Sequence, residues 1–328
     1  MQEREEILEP DLAICDPHHH LWDHPTSCYL IEELNADTGS GHRVESTVFV
    51  ECMSFYRAEG PRELAPVGET EFVNGVAAMS ASGRYGAMRA CEGIVSFADL
   101  ALGAGVAPVL EAHIRAGGGR LRGIRHAGGW NPHEEVRNSH TNPPQGLYGS
   151  AAFREGYARL ADHGLSFEAW QFHPQLPEVT DLARAFPEIP VVLDHVGGVL
   201  GIGPYAGRRA EVFEGWKADI AQAATCPNMV VKLGGLGMAI CGFDFHKREA
   251  PPSSAELAQA WRPYIETCIE HFGVERCMFE SNFPVDRVSC DYATLWNAFK
   301  RLASGASDSE KALLFRDVAR KIYQLDKE

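Results

Sequence analysis

Side chains able to move a proton or hold a metal recur at the ends of short apolar runs in this 328-residue sequence. Asp16-Pro17-His18-His19-His20 is one such place. Side chains alternate along an extended strand, so His18 and His20 point to one face. Two imidazoles so placed can ligate a divalent ion or polarise a carbonyl oxygen. Their flanks, Ile14-Cys15-Asp16 and Leu21-Trp22-Asp23, are not those of a purification tag. Asp194-His195-Val196-Gly197-Gly198 follows Val191-Val192-Leu193 and supplies a third imidazole, with two glycines that let a ligand approach the backbone. Asp194 precedes His195, so in a regular strand it faces the other way and reads as a supporting residue. Leu121-Arg122-Gly123-Ile124-Arg125 offers a guanidinium fork, which grips a carboxylate through two parallel N–H bonds. Arg122 and Arg125 have opposite parity, and Arg125, nearer the strand end, is expected to face the histidines. Glu51 and Asp286 also follow apolar runs, and each reads either as an active-site carboxylate or as a salt-bridged acid. Trp130, Trp170, Gln171, His173 and Tyr205 are candidates for lining a pocket and equally for packing.

The elements that must position these groups repeat along the chain. Strands are expected at Ala13–Asp16, Thr47–Glu51, Gly93–Phe97, Leu121–Arg125, Ser166–Ala169, Val191–Asp194, Met229–Leu233 and Cys277–Glu280. Runs such as Val191-Val192-Leu193 and Met229-Val230-Val231 are apolar without alternation, as in parallel strands buried on both faces. Amphipathic stretches lie between them, including Ala151–His163, Glu178–Ala185, Ala210–Ala224, Ser254–His271 and Tyr292–Ser304. Strand–helix alternation repeated this way predicts a closed (β/α)8 barrel, an α/β fold, rather than an open sheet. A last helix over Asp308–Leu325, begun by the capping pair Ser307 and Glu310, is expected to cap it. The long irregular stretches Cys52–Glu69, Ala127–Ser150, Val196–Arg209 and Leu236–Ser253 all follow a strand. In a barrel such loops open on the C-terminal face, where barrel enzymes keep their chemistry. No linker interrupts the pattern, so residues 1–328 read as one domain.

Composition narrows the function. Hydrophobic residues make up 45% and charged residues 23%, as in a globular enzyme and unlike a disordered chain. A net charge of −15 argues against nucleic acid as a partner. The acidic start MQEREEILEP lacks the basic-then-apolar pattern of a secretory leader, and no apolar run suits a membrane span. Nine cysteines without a Cys-x-x-Cys pair read as reduced thiols, hence a cytoplasmic location. Gly201-Ile202-Gly203-Pro204-Tyr205-Ala206 contains a proline and lies beyond the strand end, so a dinucleotide site is not expected there. A serine-hydrolase elbow, a zinc-protease helix motif and a phosphate loop are all missing from the sequence.

Taken in order, His18-x-His20, Asp194-His195-x-Gly197 and Ser281-Asn282-Phe283-Pro284 resemble the amidohydrolase superfamily (amidohydrolase family 2). The likeness is to the branch that contains 2-pyrone-4,6-dicarboxylate lactonase and the sugar-acid lactonases, and it runs from Asp16 to about Tyr323. The resemblance implies a distorted (β/α)8 barrel that hydrolyses a small lactone, with His18, His20 and His195 as the active-site imidazoles. They would hold one divalent ion, zinc or manganese, or polarise the carbonyl directly in a metal-independent enzyme; both alternatives stay open. The family's strand-eight position is usually an Asp that takes the proton of the attacking water, and here it is Asn282. An amide is no base near neutral pH. A displaced carboxylate is therefore expected, with Glu51 ahead of Asp286. No lysine falls in the strand-four motif, so a two-metal site is not expected. Two other readings remain: a metal-dependent non-oxidative decarboxylase of an unsaturated or aromatic acid, and a non-catalytic barrel that binds an acidic metabolite. The partner in each is a small molecule; substrate identity and oligomeric state are not legible.

Overall fold

The computed structural model describes residues 5–326. Eight parallel strands form one sheet in which each pairs with the next in sequence. They are β1 (Ala13–His19), β2 (Arg43–Val50), β3 (Arg89–Ser96), β4 (Leu121–Arg125), β5 (Ser166–Ala169), β6 (Val191–Leu193), β7 (Met229–Leu233) and β8 (Cys277–Phe279). The sheet curls until the segment after β8 meets β1. There the His20 N–H donates to the Phe283 carbonyl at 2.8 Å and the Asn282 N–H to the His18 carbonyl at 2.9 Å. The result is the expected (β/α)8 barrel.

Helices return the chain between strands: α1 (Ile31–Thr38), α2 (Val67–Ala81), α3 (Ala107–Ala116), α4 (Ala151–Ala158), α5 (Leu176–Ala185), α6 (Arg209–Ala223), α7 (Ser254–Phe272) and α8 (Tyr292–Leu302). The last helical stretch, Asp308–Ile322, begins with the predicted Ser307–Glu310 capping box and passes through a π-turn at Leu313–Asp317. Among the described residues no helix is long and apolar enough to cross a membrane. All nine cysteines are free thiols.

Burial divides along strand parity. Phe167, Val191, Leu193, Val231 and Phe279 point outward into the main core beneath the helices. Cys15, Val48, Val95, Val192, Val230 and Met278 point inward and meet Val318, Ala319, Tyr323 and Leu325, which plug the lower end. Two residues farther along the same inward face, Val192, Val230 and Met278 give way to Asp194, Lys232 and Glu280, each fully buried. The barrel interior is therefore apolar below and ionisable above.

One expectation about β6 fails. The strand stops at Leu193, and His195 and Val196 take left-handed backbone with φ of 54° and 48°. Asp194 keeps the inward parity of Val192, and the turn brings the adjacent His195 to the interior as well, so Asp194 is not the outward-facing residue expected from its place beside His195.

Candidate active site

His18 stands at the centre of the ionisable layer. Asp16 below it fixes its strand: one carboxylate oxygen accepts the Ser281 N–H at 3.0 Å and the other the Tyr292 hydroxyl at 3.0 Å. The His18 Nδ1 lies 2.9 Å from Glu280 Oε2, 3.1 Å from Lys232 Nζ and 3.5 Å from Asp194 Oδ1. Its Nε2 is 3.4 Å from an Arg125 nitrogen. Burial, and after it the Lys232 charge, pushes the His18 pKa down against the pull of Asp194 and Glu280. Lowering its pKa favours the neutral imidazole, the form that can ligate a cation.

His195 shares Glu280 with it. The His195 Nδ1 is 2.7 Å from Glu280 Oε1, and the His195 backbone N–H donates to the same oxygen at 3.1 Å. The two imidazole rings lie 4.6 Å apart. His20 is close by, its ring 5.0 Å from that of His18, but its Nδ1–H donates to the Val50 carbonyl at 2.8 Å. Two sets of side chains bring ligand atoms within 4.8 Å of one another: His18 with His195 and Glu280, and His18 with Glu168 and Asp194. His20 belongs to neither set, and Glu280 stands with His18 and His195 in the first.

The first set fits a divalent ion. Glu280 Oε2 is fully buried and, among the described residues, has no hydrogen-bond donor in good geometry, although it faces the His18 ring at 2.9 Å. A buried carboxylate oxygen with open lone pairs is costly unless a cation meets it. The second set already faces a cation: Lys232 Nζ is 2.6 Å from Glu168 Oε2 and 3.2 Å from Asp194 Oδ1. Those carboxylates hold the Lys232 pKa above its ordinary value against burial. The Tyr323 hydroxyl donates to the other Glu168 oxygen.

Glu51 and Arg125 reach the site and spend themselves on each other. Arg125 Nε donates to Glu51 Oε1 at 2.7 Å, and another Arg125 nitrogen lies 3.4 Å from Asp194 Oδ2. His140, from the long loop after β4, approaches Glu51 at 2.9 Å. Burial pushes the Glu51 carboxyl up, but His140 and Arg125 outweigh it and hold the pKa at about 2. A carboxylate so stabilised is a poor base. Arg125 is 3% exposed and engaged along its fork by Glu51 and Asp194. Arg122 points elsewhere and donates to the Gly119 carbonyl at 2.6 Å, as its opposite parity requires.

Asn282, with φ of 53°, aims its amide at Asp286 and donates to Oδ1 at 2.8 Å. The Gly237 N–H donates to the other Asp286 oxygen at 2.9 Å. Burial pushes the Asp286 pKa up to about 7, against the opposing pull of His195 and of these two donors. A carboxyl that changes charge near neutral pH is thus held beside the amide.

The wall beside His195 is apolar. Trp170 lies edge-on to the His195 ring at 4.7 Å and packs with Ala127, Val136, Phe172 and Leu200. Tyr205 packs against this cluster, meets the His173 ring at 5.0 Å, and accepts a hydrogen bond from Asn131 at 3.2 Å. Gln171 is buried, its Nε2 donating weakly to the Gly197 carbonyl at 3.4 Å. Trp130 is half-buried, and its backbone N–H donates to the Gln175 side chain at 3.0 Å.

Glu168, Lys232, Glu280 and His140 were not among the candidates drawn from sequence. The first three carried a signal: each is ionisable within or directly after a strand buried on both faces. His140 carried none, since its place depends on how a long loop folds back.

Known proteins share the family and the fold of this chain. The family profile described as Amidohydrolase matches residues 15–325. The chain is 32% identical to the uncharacterized protein y4mH of Sinorhizobium fredii, over 96% of this chain and 99% of that protein. It is 25% identical to an L-fucono-1,5-lactonase of Burkholderia multivorans, over 63% of this chain and 64% of that one. A crystal structure of an amidohydrolase from Burkholderia multivorans with bound zinc superposes with a TM-score of 0.71 at 22% identity, over 95% of this chain and 99% of that chain.

Proposed function

Because the chain belongs to the amidohydrolase family, we propose that it opens a small carboxylated or sugar-acid lactone with water at the histidine-lined mouth of its barrel. The observation that carries this reading is the pairing of His18 and His195 through Glu280, close to a buried carboxyl, Asp286, poised near pH 7. The similarity to an L-fucono-1,5-lactonase supports the substrate class.

The steps follow from the donors present. The lactone carbonyl lies against His18 and His195, which stabilise the charge that develops on its oxygen. Water attacks the carbonyl carbon while Asp286 accepts its proton, directly or through a second water, and Asn282 orients the attacking molecule. Collapse of the tetrahedral intermediate breaks the ring C–O bond. The proton then passes to the departing alkoxide and leaves an open hydroxy acid. His20, fixed by its bond to Val50, borders the carbonyl site, and Glu51 with Arg125 and His140 sets the electrostatic field beside it. A divalent ion held by His18, His195 and Glu280 supplies Lewis acidity at the carbonyl when bound, and the zinc in the Burkholderia multivorans structure supports such a site. Trp170 and Tyr205 form the apolar side of the pocket, against which a sugar or pyrone ring stacks.

A panel of aldonolactones and a pyrone dicarboxylate, followed by acid release in weakly buffered indicator, tests this. His18→Ala and His195→Ala are expected to retain their circular dichroism and to lose about 100- to 1,000-fold in kcat/KM, as when an oxyanion donor is removed. Variants that fold and keep full activity on the best substrate would sink the proposal. Release of CO2 in place of acid would point to decarboxylation instead.

A further inference from the structure

We propose that Lys232 is a tethered cation that occupies the second cluster of the barrel and so limits the protein to one divalent ion. The cluster of His18, Glu168 and Asp194 has the donor set of a metal site, and each of its members lies within reach of the same nitrogen. Lys232 Nζ is 2.6 Å from Glu168 Oε2, 3.1 Å from His18 Nδ1 and 3.2 Å from Asp194 Oδ1. An ammonium has three N–H groups, and here three acceptors surround it.

The fit of Asp194 shows what kind of site this is. Its Oδ1 is fully buried and close to Nζ, yet makes no hydrogen bond, so the contact is ionic and leaves a lone pair open. A spherical ion bonds all the acceptors around it, whereas an ammonium is restricted by the direction of its N–H bonds. The cluster therefore has a ligand geometry that its resident side chain satisfies incompletely. Lys232 emerges from β7 between Val231 and Leu233, which are buried in the outer core, and its stem passes through the barrel interior. The fixed strand prevents the charge from leaving, as a free ion can. A second ion between Glu168 and Asp194 would have to share both carboxylates with a positive charge about 3 Å away, which is strongly unfavourable.

The proposal rests on the reading of His18, His195 and Glu280 as the open cation site, but its test uses no substrate. Failure of every lactone assay leaves it standing, and its own failure leaves lactone hydrolysis standing. Wild-type protein and Lys232→Met, stripped with chelator, are titrated with Zn2+ by calorimetry and counted by elemental analysis after dialysis. The wild type is expected to hold no more than one zinc per chain and Lys232→Met to hold one more than the wild type. Adding Asp194→Asn to the variant should abolish the gained ion. Zinc should also raise the melting temperature of Lys232→Met more than that of the wild type. Two zinc ions in the wild type, or no extra ion in a folded Lys232→Met, would overturn the proposal. If the variant does not fold unaided, refolding it with Zn2+ decides: recovery of the native circular dichroism supports the tethered cation, and failure to recover refutes it.

Discussion

Asp286 and Glu51 are both fully buried acids near the barrel mouth, and their surroundings drive them in opposite directions. Asp286 has only the Asn282 amide and one backbone N–H as hydrogen-bond partners, so burial dominates and its pKa rises from 3.8 to about 7. As a base it must be ionised, so the rate should climb with pH through about 7. Asp286→Asn should lose that limb and about 100- to 10,000-fold in kcat, which a pH profile of both proteins reads directly. Stability has the opposite sign. The folded state keeps this proton while the unfolded chain releases it, so the contribution of Asp286 is fully present below pH 3.8 and is lost as pH rises through about 7. Asp286→Asn should therefore gain stability relative to wild type above neutrality and not at low pH, as urea titrations at the two pH values will show. Glu51, at about 2, stabilises the fold above its unfolded value of 4.5 and loses that contribution as pH falls through about 2. Arg125→Met leaves Glu51 buried without its guanidinium and should cost about 3–5 kcal/mol in urea unfolding. A cost below about 1 kcal/mol, the range of exposed pairs, would show that the pair is not what holds Glu51.

At the scale of elements, parity was legible where strands stayed regular and misleading where they ended. His18 and His20 do come together, their rings 5.0 Å apart, although β1 is irregular between Asp16 and His19 and ends before His20, and Arg122 and Arg125 diverge because β4 keeps extended geometry. Asp194 misled because its place was judged from His195, which reaches the interior only through the left-handed turn after β6, whereas Asp194 itself keeps the inward parity of Val192. Lys232 was legible but unread: a lysine inside Met229-Val230-Val231-Lys232-Leu233 has to find buried partners. The glycines after His195 permit close packing, as expected, but within the protein itself. Gly198 has φ of 73°, and a Cβ there would lie 1.9 Å from the Gln171 carbonyl oxygen. Gly198→Ala should thus destabilise the protein by about 2 kcal/mol or more and shift His195, lowering activity at temperatures where the variant is still folded. Thermal unfolding and kcat/KM at low temperature separate the two effects. Trp170 and Tyr205 of the apolar wall were among the candidates, but His140 was beyond reach, since a loop's path is set by contacts far along the chain rather than by its own residues.

For the whole molecule, the order of strands and the plug at the lower end were readable from alternation and from the Ser307 cap, and the resemblance located the mouth. Sequence did not show that the plug takes part in the site. Tyr323 donates its hydroxyl to Glu168, 155 residues away, while its ring lies under the Lys232 ammonium at 5.6 Å. Tyr323→Phe leaves a buried carboxylate oxygen without its donor and should cost about 1–3 kcal/mol, measurable by urea unfolding. This bond also sets a timetable for synthesis. The chain emerges from the ribosome from its N-terminal end, so His18 is exposed long before β8 can close against β1 or Tyr323 can anchor Glu168. A nascent chain carries its histidines and acids early, yet their shared geometry waits for residue 323. A partly made copy lacks the pairing of Tyr323 with Glu168, and the charged interior stays hydrated until the barrel shuts around it.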